Sequence, residues 1–240
     1  MEPSSLHYFP LTLPFYFGLA FLFAVLVGLR ELHILAYAYE SIGVHPRYVS
    51  AVLLLSLLGS AVNIPVAQLP EEETISNQVV TFFGVQYVVP VAERWPGTII
   101  AVNLGGALIP TFLSIYLLAK NRLLVPGAIG VLIVAVAVHT MAYPVKGVGI
   151  ATPTLAPPLI AAAVGLVLSW RSAPSLAYAA GSLGTLIGAD LMNLDKIRGL
   201  GAPIASIGGA GTFDGIFLTG VIAVLLTWRP PRGEAATSDE

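Results

Sequence analysis

The chain has no cysteine, and only 10% of its 240 residues are charged. The first absence removes disulfides, thiolate nucleophiles, iron–sulfur clusters and cysteine-held zinc, which leaves oxygen and imidazole chemistry. The second, with a net charge of −2 and no run of Lys or Arg, removes the electrostatic footprint of a nucleic-acid binder. Basic residues are also missing from the first ten positions, which hold Glu2 and His7, so the first apolar run lacks the charged leader of a secretory signal. It reads as a retained helix.

What fills the space is apolar: 56% of residues are hydrophobic and the mean hydropathy is +0.85. A soluble domain is roughly 45–50% apolar and about 25% charged, so this composition belongs to a bilayer, and the expected location is the cell membrane, crossed several times. Spans of about 20 apolar residues bounded by charge, Pro or Gly are predicted at 11–29, 48–68, 98–119, 123–143, 154–170, 174–194 and 213–228. The fold class is therefore all-α integral membrane, with about seven transmembrane helices in one domain over residues 1–228. Residues 229–240 are predicted to form a disordered polar cytoplasmic tail. With the N-terminus outside, seven Lys and Arg fall on the cytoplasmic side and four on the outer side, which favours N-out, C-in.

Two connections are long enough to carry structure. Residues 31–43 mix polar and apolar positions and suggest a short amphipathic helix ending at Gly43. The outer loop 71–95, between the second and third spans, contains Val79–Val89, β-branched and aromatic around Gly84, and reads as a short β-hairpin. A plain interfacial loop fits that composition equally well.

Polar residues inside the spans each need a partner or a cavity. Asn63, Asn103, His139, Asp190 and Asp214 all fall within about five positions of the outer boundary, or roughly 8 Å at the helical rise. Thr154, Pro157 and Asn193 lie at the same depth, as do Gly211, Thr212 and Gly215 around Asp214. Asn63, Asn103 and His139 taken singly are explained by helix–helix hydrogen bonding. His139 has no second His at ligand spacing, so no metal is expected, and no cofactor motif is present. An aspartate in a span costs about 2.5–3.5 kcal/mol on insertion scales, which makes Asp190 and Asp214 the residues to explain. Three arrangements suit them: Asp214 in a helical first turn capped by Thr212 with Asp190 paired to Lys146, Lys196 or Arg198; a carboxylate pair sharing one proton; or oxygen ligands of a transported cation or proton.

The stretch Ser206–Gly220 leading into the seventh span, together with Gly188-Ala189-Asp190-Leu191 and Asn63-Ile64-Pro65, resembles the prokaryotic membrane-protein family of unknown function known as domain-of-unknown-function family 1614. That resemblance implies a multi-pass membrane protein and no activity. A second one concerns chemistry. Asp190 on the sixth span and Asp214 on the seventh, the latter in Gly209-Ala210-Gly211-Thr212-Phe213-Asp214, look like the two aspartates of presenilin-like Gly-x-Gly-Asp intramembrane proteases, with two residues inserted in the motif. It implies peptide hydrolysis by Asp190 and Asp214, with a transmembrane peptide as substrate and the other polar residues in support. Independently of the resemblance, an exposed strand edge such as Val85–Val89 suits an unwound substrate by β-augmentation, with Thr154–Pro158 on the other flank. Gly181-Ser182-Leu183-Gly184 lacks the pattern of a serine intramembrane protease. The alternatives are proton- or cation-coupled transport or binding through the same layer, and a non-catalytic interaction role; oligomeric state is left open.

Overall fold

The computed structural model describes residues 13–31, 42, 44–70, 72–83, 85–95, 97–147, 149–198, 200–209 and 215–227. The expected amphipathic helix over 31–43 and the polar tail fall almost wholly outside these residues. Among them are seven α-helices: α1 (Leu13–Glu31), α2 (Pro46–Gly59), α3 (Ile109–Lys120), α4 (Leu124–Met141), α5 (Ala156–Leu168), α6 (Ala173–Thr185) and α7 (Gly215–Leu226). Each lies within or close to a predicted span. Only α4 is long and apolar enough to cross a membrane by itself; α5, α7 and the core of α1 are shorter apolar helices.

The class is mostly helical rather than all-α, because the chain leaves the helical state where several spans were expected to continue. The second helix stops at Gly59, and residues 63–68 form β1 (Asn63–Gln68). The third span opens not as helix but as β4 (Ile99–Asn103). Pro65 explains the first departure, since a proline in mid-helix removes a donor and clashes with the preceding turn, whereas an edge strand tolerates it. The β-branched pair Ile99-Ile100 favours the second. With β7 (Ile204–Ile207) these strands make a three-stranded sheet in the order β1-β4-β7, β1 antiparallel and β7 parallel to β4. The predicted hairpin is present and longer than its apolar run: β2 (Glu72–Phe82) pairs with β3 (Val85–Trp95) through eleven register pairs. A small hairpin, β5 (Tyr143–Val145) with β6 (Gly149–Ala151), joins α4 to α5.

The core is organised around α6. Eleven of its 13 residues are buried, and eight of these are Ala, Gly or Ser. Small side chains let neighbouring backbones come close, which is how helices gain contact area when large apolar groups point outward. Gly165 of α5 faces the backbone of Ala173, and Gly188 just beyond α6 faces the carbonyl of Ala135 on α4. Tyr178, Leu117, Phe217 and Val221 then fill one cluster with Leu26 of α1. At the other extreme, Phe17, Phe21, Phe112, Val125, Leu132 and Val167 turn their side chains away from the bundle.

Two helices are locally widened where they meet the sheet. A π-helix, Leu104–Leu108, connects β4 to α3, and a second, Leu186–Asp190, extends α6 before a 3₁₀ stretch over Leu191–Ile197. Such turns break the i→i−4 ladder and recur at functional sites. Both lie at the end of the bundle that carries the polar residues.

Candidate functional site

The polar residues separate into two clusters joined by β7. In the first, Asn103 ends β4 and caps the π-helix behind it: its Oδ1 accepts the Gly106 N–H at 2.8 Å, and its Nδ2 donates to the Ser60 carbonyl at 2.8 Å and to Asn63 Oδ1 at 3.0 Å. Asn63 and Asn103 are register partners in the antiparallel β1–β4 pair, which is why the two amides meet. Ser206 on β7 donates its hydroxyl to the same Asn63 Oδ1. Asn103 is 1% exposed, so all of its hydrogen-bonding capacity has to be met by protein.

The second cluster begins two residues further along. The Gly208 N–H donates to Asp190 Oδ2 at 2.7 Å. Gly208 has φ +96°, and a Cβ on it would stand 2.5 Å from the Ala107 N, so only glycine lets the strand turn past the first π-helix and present its N–H to the carboxylate. Behind Asp190, the fully buried Asn193 donates its Nδ2 to the carbonyls of Gly188 (2.8 Å) and Ala189 (2.9 Å), two acceptors in the π-turn, and Lys196 Nζ donates to Asn193 Oδ1 at 2.7 Å. Asp190 therefore rests against a backbone N–H on one side and a braced turn on the other. Lys196, one of the cations expected to pair with it, donates to Asn193 instead.

Asp190 lines a cavity of about 310 Å³ between the end of α6, the start of α5, β7 and α7. Most of the wall is apolar, including Ile150, Leu194, Ile197, Ile207, Ile216 and Ile222, and a few polar groups converge on it: Thr152, Thr154, Thr185, Ser206 and Thr219. Thr185 is 4% exposed, and its hydroxyl oxygen has no hydrogen-bond partner among the described residues. That is the pattern of a small-molecule or side-chain pocket, a mostly apolar concavity with a few placed polar groups.

Of the residues singled out from the sequence, Asp190, Thr154, Pro157 and Gly215 line this cavity together. Asn63 and Asn103 meet each other and reach the cavity wall through Ser206, while Asn193 stands behind Asp190. His139, near the end of α4, is not in the wall, and its Nδ1 is buried without a partner among the described residues. Asp214, Gly211 and Thr212 lie outside the described residues. Gly209 and Gly215, on either side of 210–214 in the chain, both line the cavity. Sequence reasoning did not reach Ser206, Gly208 or Thr185, because a serine in a strand, one glycine among several and a helix hydroxyl carry no signal alone. The available hint was Gly208-Gly209, which marks a backbone turn.

Fold and site together define a mostly helical protein with a carboxylate-bearing cavity at the sheet end of its bundle. The chain belongs to the DUF1614 protein family of unknown function, whose model matches residues 57–226. No curated protein and no solved structure matches it.

Proposed function

We propose that this is a multi-pass protein of a prokaryotic cell membrane, N-terminus outside, that hydrolyses peptide bonds near the outer face with an Asp190/Asp214 pair. The membrane part rests on the outward-turned apolar side chains of α1, α3, α4 and α5 and on the length of α4, an arrangement that lipid accommodates and water does not. α-Helices shorter than a full span are compatible with this reading because the strands and π-turns at one end extend the chain beyond them.

One observation carries the catalytic part: Asp190 shares a cavity with Gly209 and Gly215. Asp214 directly precedes Gly215 in the chain, and it is the residue proposed to bring the second carboxyl group. Two carboxyl groups at one cavity share a proton readily, because both cannot be ionised at short range. The ionised member takes a proton from water as the oxygen attacks the peptide carbonyl, and the protonated member donates to the carbonyl oxygen. The resulting diol collapses with transfer of a proton to the leaving nitrogen, which frees an amine and a carboxylic acid and restores the pair. β7 supports the same reading. Among the described residues it is an edge strand, and Pro203 O accepts from Ile99 N, so by alternation the N–H and C=O of Ile204 and the N–H of Ser206 point away from β4, while the Ser206 C=O accepts the Gly209 N–H. The Gly208 N–H that holds Asp190 continues this outward series. An extended substrate segment paired along β7 therefore runs toward Asp190.

The chain's lack of cysteine makes the test direct. In bilayers, Asp190→Cys with Asp214→Cys is expected to form a disulfide, which needs Cα atoms about 4.4–6.8 Å apart. Cleavage of a synthetic transmembrane peptide is expected to vanish in Asp190→Asn and in Asp214→Asn, and full cleavage by either variant refutes the pair. Ser206→Pro, which removes an outward N–H, is expected to slow cleavage more than Ser206→Ala, which keeps it. The π-turn interruption of α6 beside a carboxylate favours one second reading, proton- or cation-coupled transport, since such sites sit at discontinuous helices. A disulfide without peptide cleavage, together with Asp190-dependent ion uptake into vesicles, would select it.

A further inference from the structure

The β2–β3 hairpin stands apart from the sheet and the bundle core: its two strands pair with each other and, among the described residues, with no third strand. Eleven residues at about 3.4 Å each make an arm of roughly 37 Å. Charge is segregated along it. Glu72, Glu73, Glu93 and Arg94 fall in the last three register pairs at the base, and residues 74–92, which include the whole outer part, contain no Asp, Glu, Lys or Arg. Toward the tip both faces carry exposed apolar groups, one face being interrupted by the uncharged pair Thr81 and Gln86. Val85, Tyr87 and Val89 share one face and Val79 and Val88, register partners, the other, with Val79 61%, Tyr87 51% and Val88 63% exposed; Phe83 at the turn is 92% exposed.

We infer that this arm lies on the outer lipid surface with its tip in the headgroup region, an inference that rests on the membrane reading but not on the protease one. The two-sided character of the tip selects lipid as the occupant. A protein partner or a second copy covers one face of a hairpin and leaves the other wet, whereas a bilayer surrounds whatever enters it. The missing charge removes the main cost of entry, and the charged base marks where the arm returns to water. Depth is limited by the backbone. A two-stranded hairpin has two open edges, and their unpaired N–H and C=O groups are not tolerated in hydrocarbon, so the tip stays at the interface. Tyr87 suits that level, with a ring that is apolar at one end and hydrogen-bonding at the other.

The experiment uses the full chain, which offers no background thiol, in vesicles of phosphatidylcholine and phosphatidylglycerol. Spin labels are placed at Phe83→Cys, at Val88→Cys as a second site should the first variant misfold, and at Thr74→Cys near the base. The tip labels are expected to collide several-fold less with a water-soluble nickel chelate than the Thr74 label, while remaining accessible to oxygen, which partitions into lipid. Equal access of the chelate at tip and base overturns the inference. Loss of both collision signals with dipolar broadening between labels also overturns it, and assigns the tip to a second copy. Peptide cleavage does not enter the readout, so its failure leaves this result standing.

Discussion

Replacing Asn103 by Ala tests whether the two clusters are held by the amide. The side chain makes three hydrogen bonds, two as donor and one as acceptor, and is 1% exposed. Each such bond contributes roughly 0.5–1.5 kcal/mol net, with membrane-protein values near the lower end, and the substitution takes this donor from the Ser60 carbonyl and this acceptor from the Gly106 N–H. The expected destabilisation is about 2–4 kcal/mol, measured as the shift in reversible unfolding by a denaturing detergent titrated against a mild one. Asn103→Asp is at least as costly, because it keeps the acceptor for Gly106 but sets carboxylate oxygens against the Ser60 carbonyl and Asn63 Oδ1. Asn63 is only half-buried, so Asn63→Ala costs less, and the double variant is less than additive by about 0.5–1 kcal/mol if the amides contact each other as described. An Asn103→Ala protein within about 0.5 kcal/mol of wild type would refute the reasoning.

Other positions give sharper contrasts. A Cβ at Gly188 would stand 2.2 Å from the Ala135 carbonyl oxygen, while one at Gly28 meets nothing within 4 Å; Gly188→Ala is expected to cost about 1–3 kcal/mol or more and Gly28→Ala to be neutral or slightly stabilising in the same titration. Gly208→Ala combines a left-handed φ with a backbone clash and displaces the donor to Asp190, so it is expected to lower both stability and whatever activity depends on Asp190. Asn193→Asp loses both donors to the π-turn carbonyls, and Asn193→Leu also leaves Lys196 without its acceptor; either is expected to destabilise by about 2 kcal/mol or more, read by hydrogen exchange over 186–197.

Much of the helical layout is legible in the sequence because apolar runs of span length have few other uses. The hairpin is legible too, since Val79–Val89 combines β-branched residues with a central glycine. The small sheet is hidden. Asn63–Gln68 and Ile99–Asn103 are apolar enough to be absorbed into neighbouring spans, and a short apolar run has no periodicity that separates strand from buried helix. Ile204–Ile207 pairs in parallel with a strand a hundred residues earlier, a contact no local pattern encodes. For the site, the gathering of Asn63, Asn103 and Asp190 at one end of the bundle is readable from their distance to the ends of the apolar runs. Their division into two clusters is not, since it depends on backbone groups of Ser60, Gly106 and Gly208 that every residue type possesses.

The strand β7 has a mechanical consequence. Within three residues the strand and the glycine that follows it grip Asn63 through Ser206 and Asp190 through Gly208, while one edge of the strand is bonded to β4. Any outward movement of this strand loads both contacts at once, so the amide cluster acts as a spring behind the carboxylate. Widening the cavity and loosening Asp190 then become a single event rather than two, and a molecule too large for about 310 Å³ gains entry only by drawing on the same few hydrogen bonds that fix the carboxylate's aim.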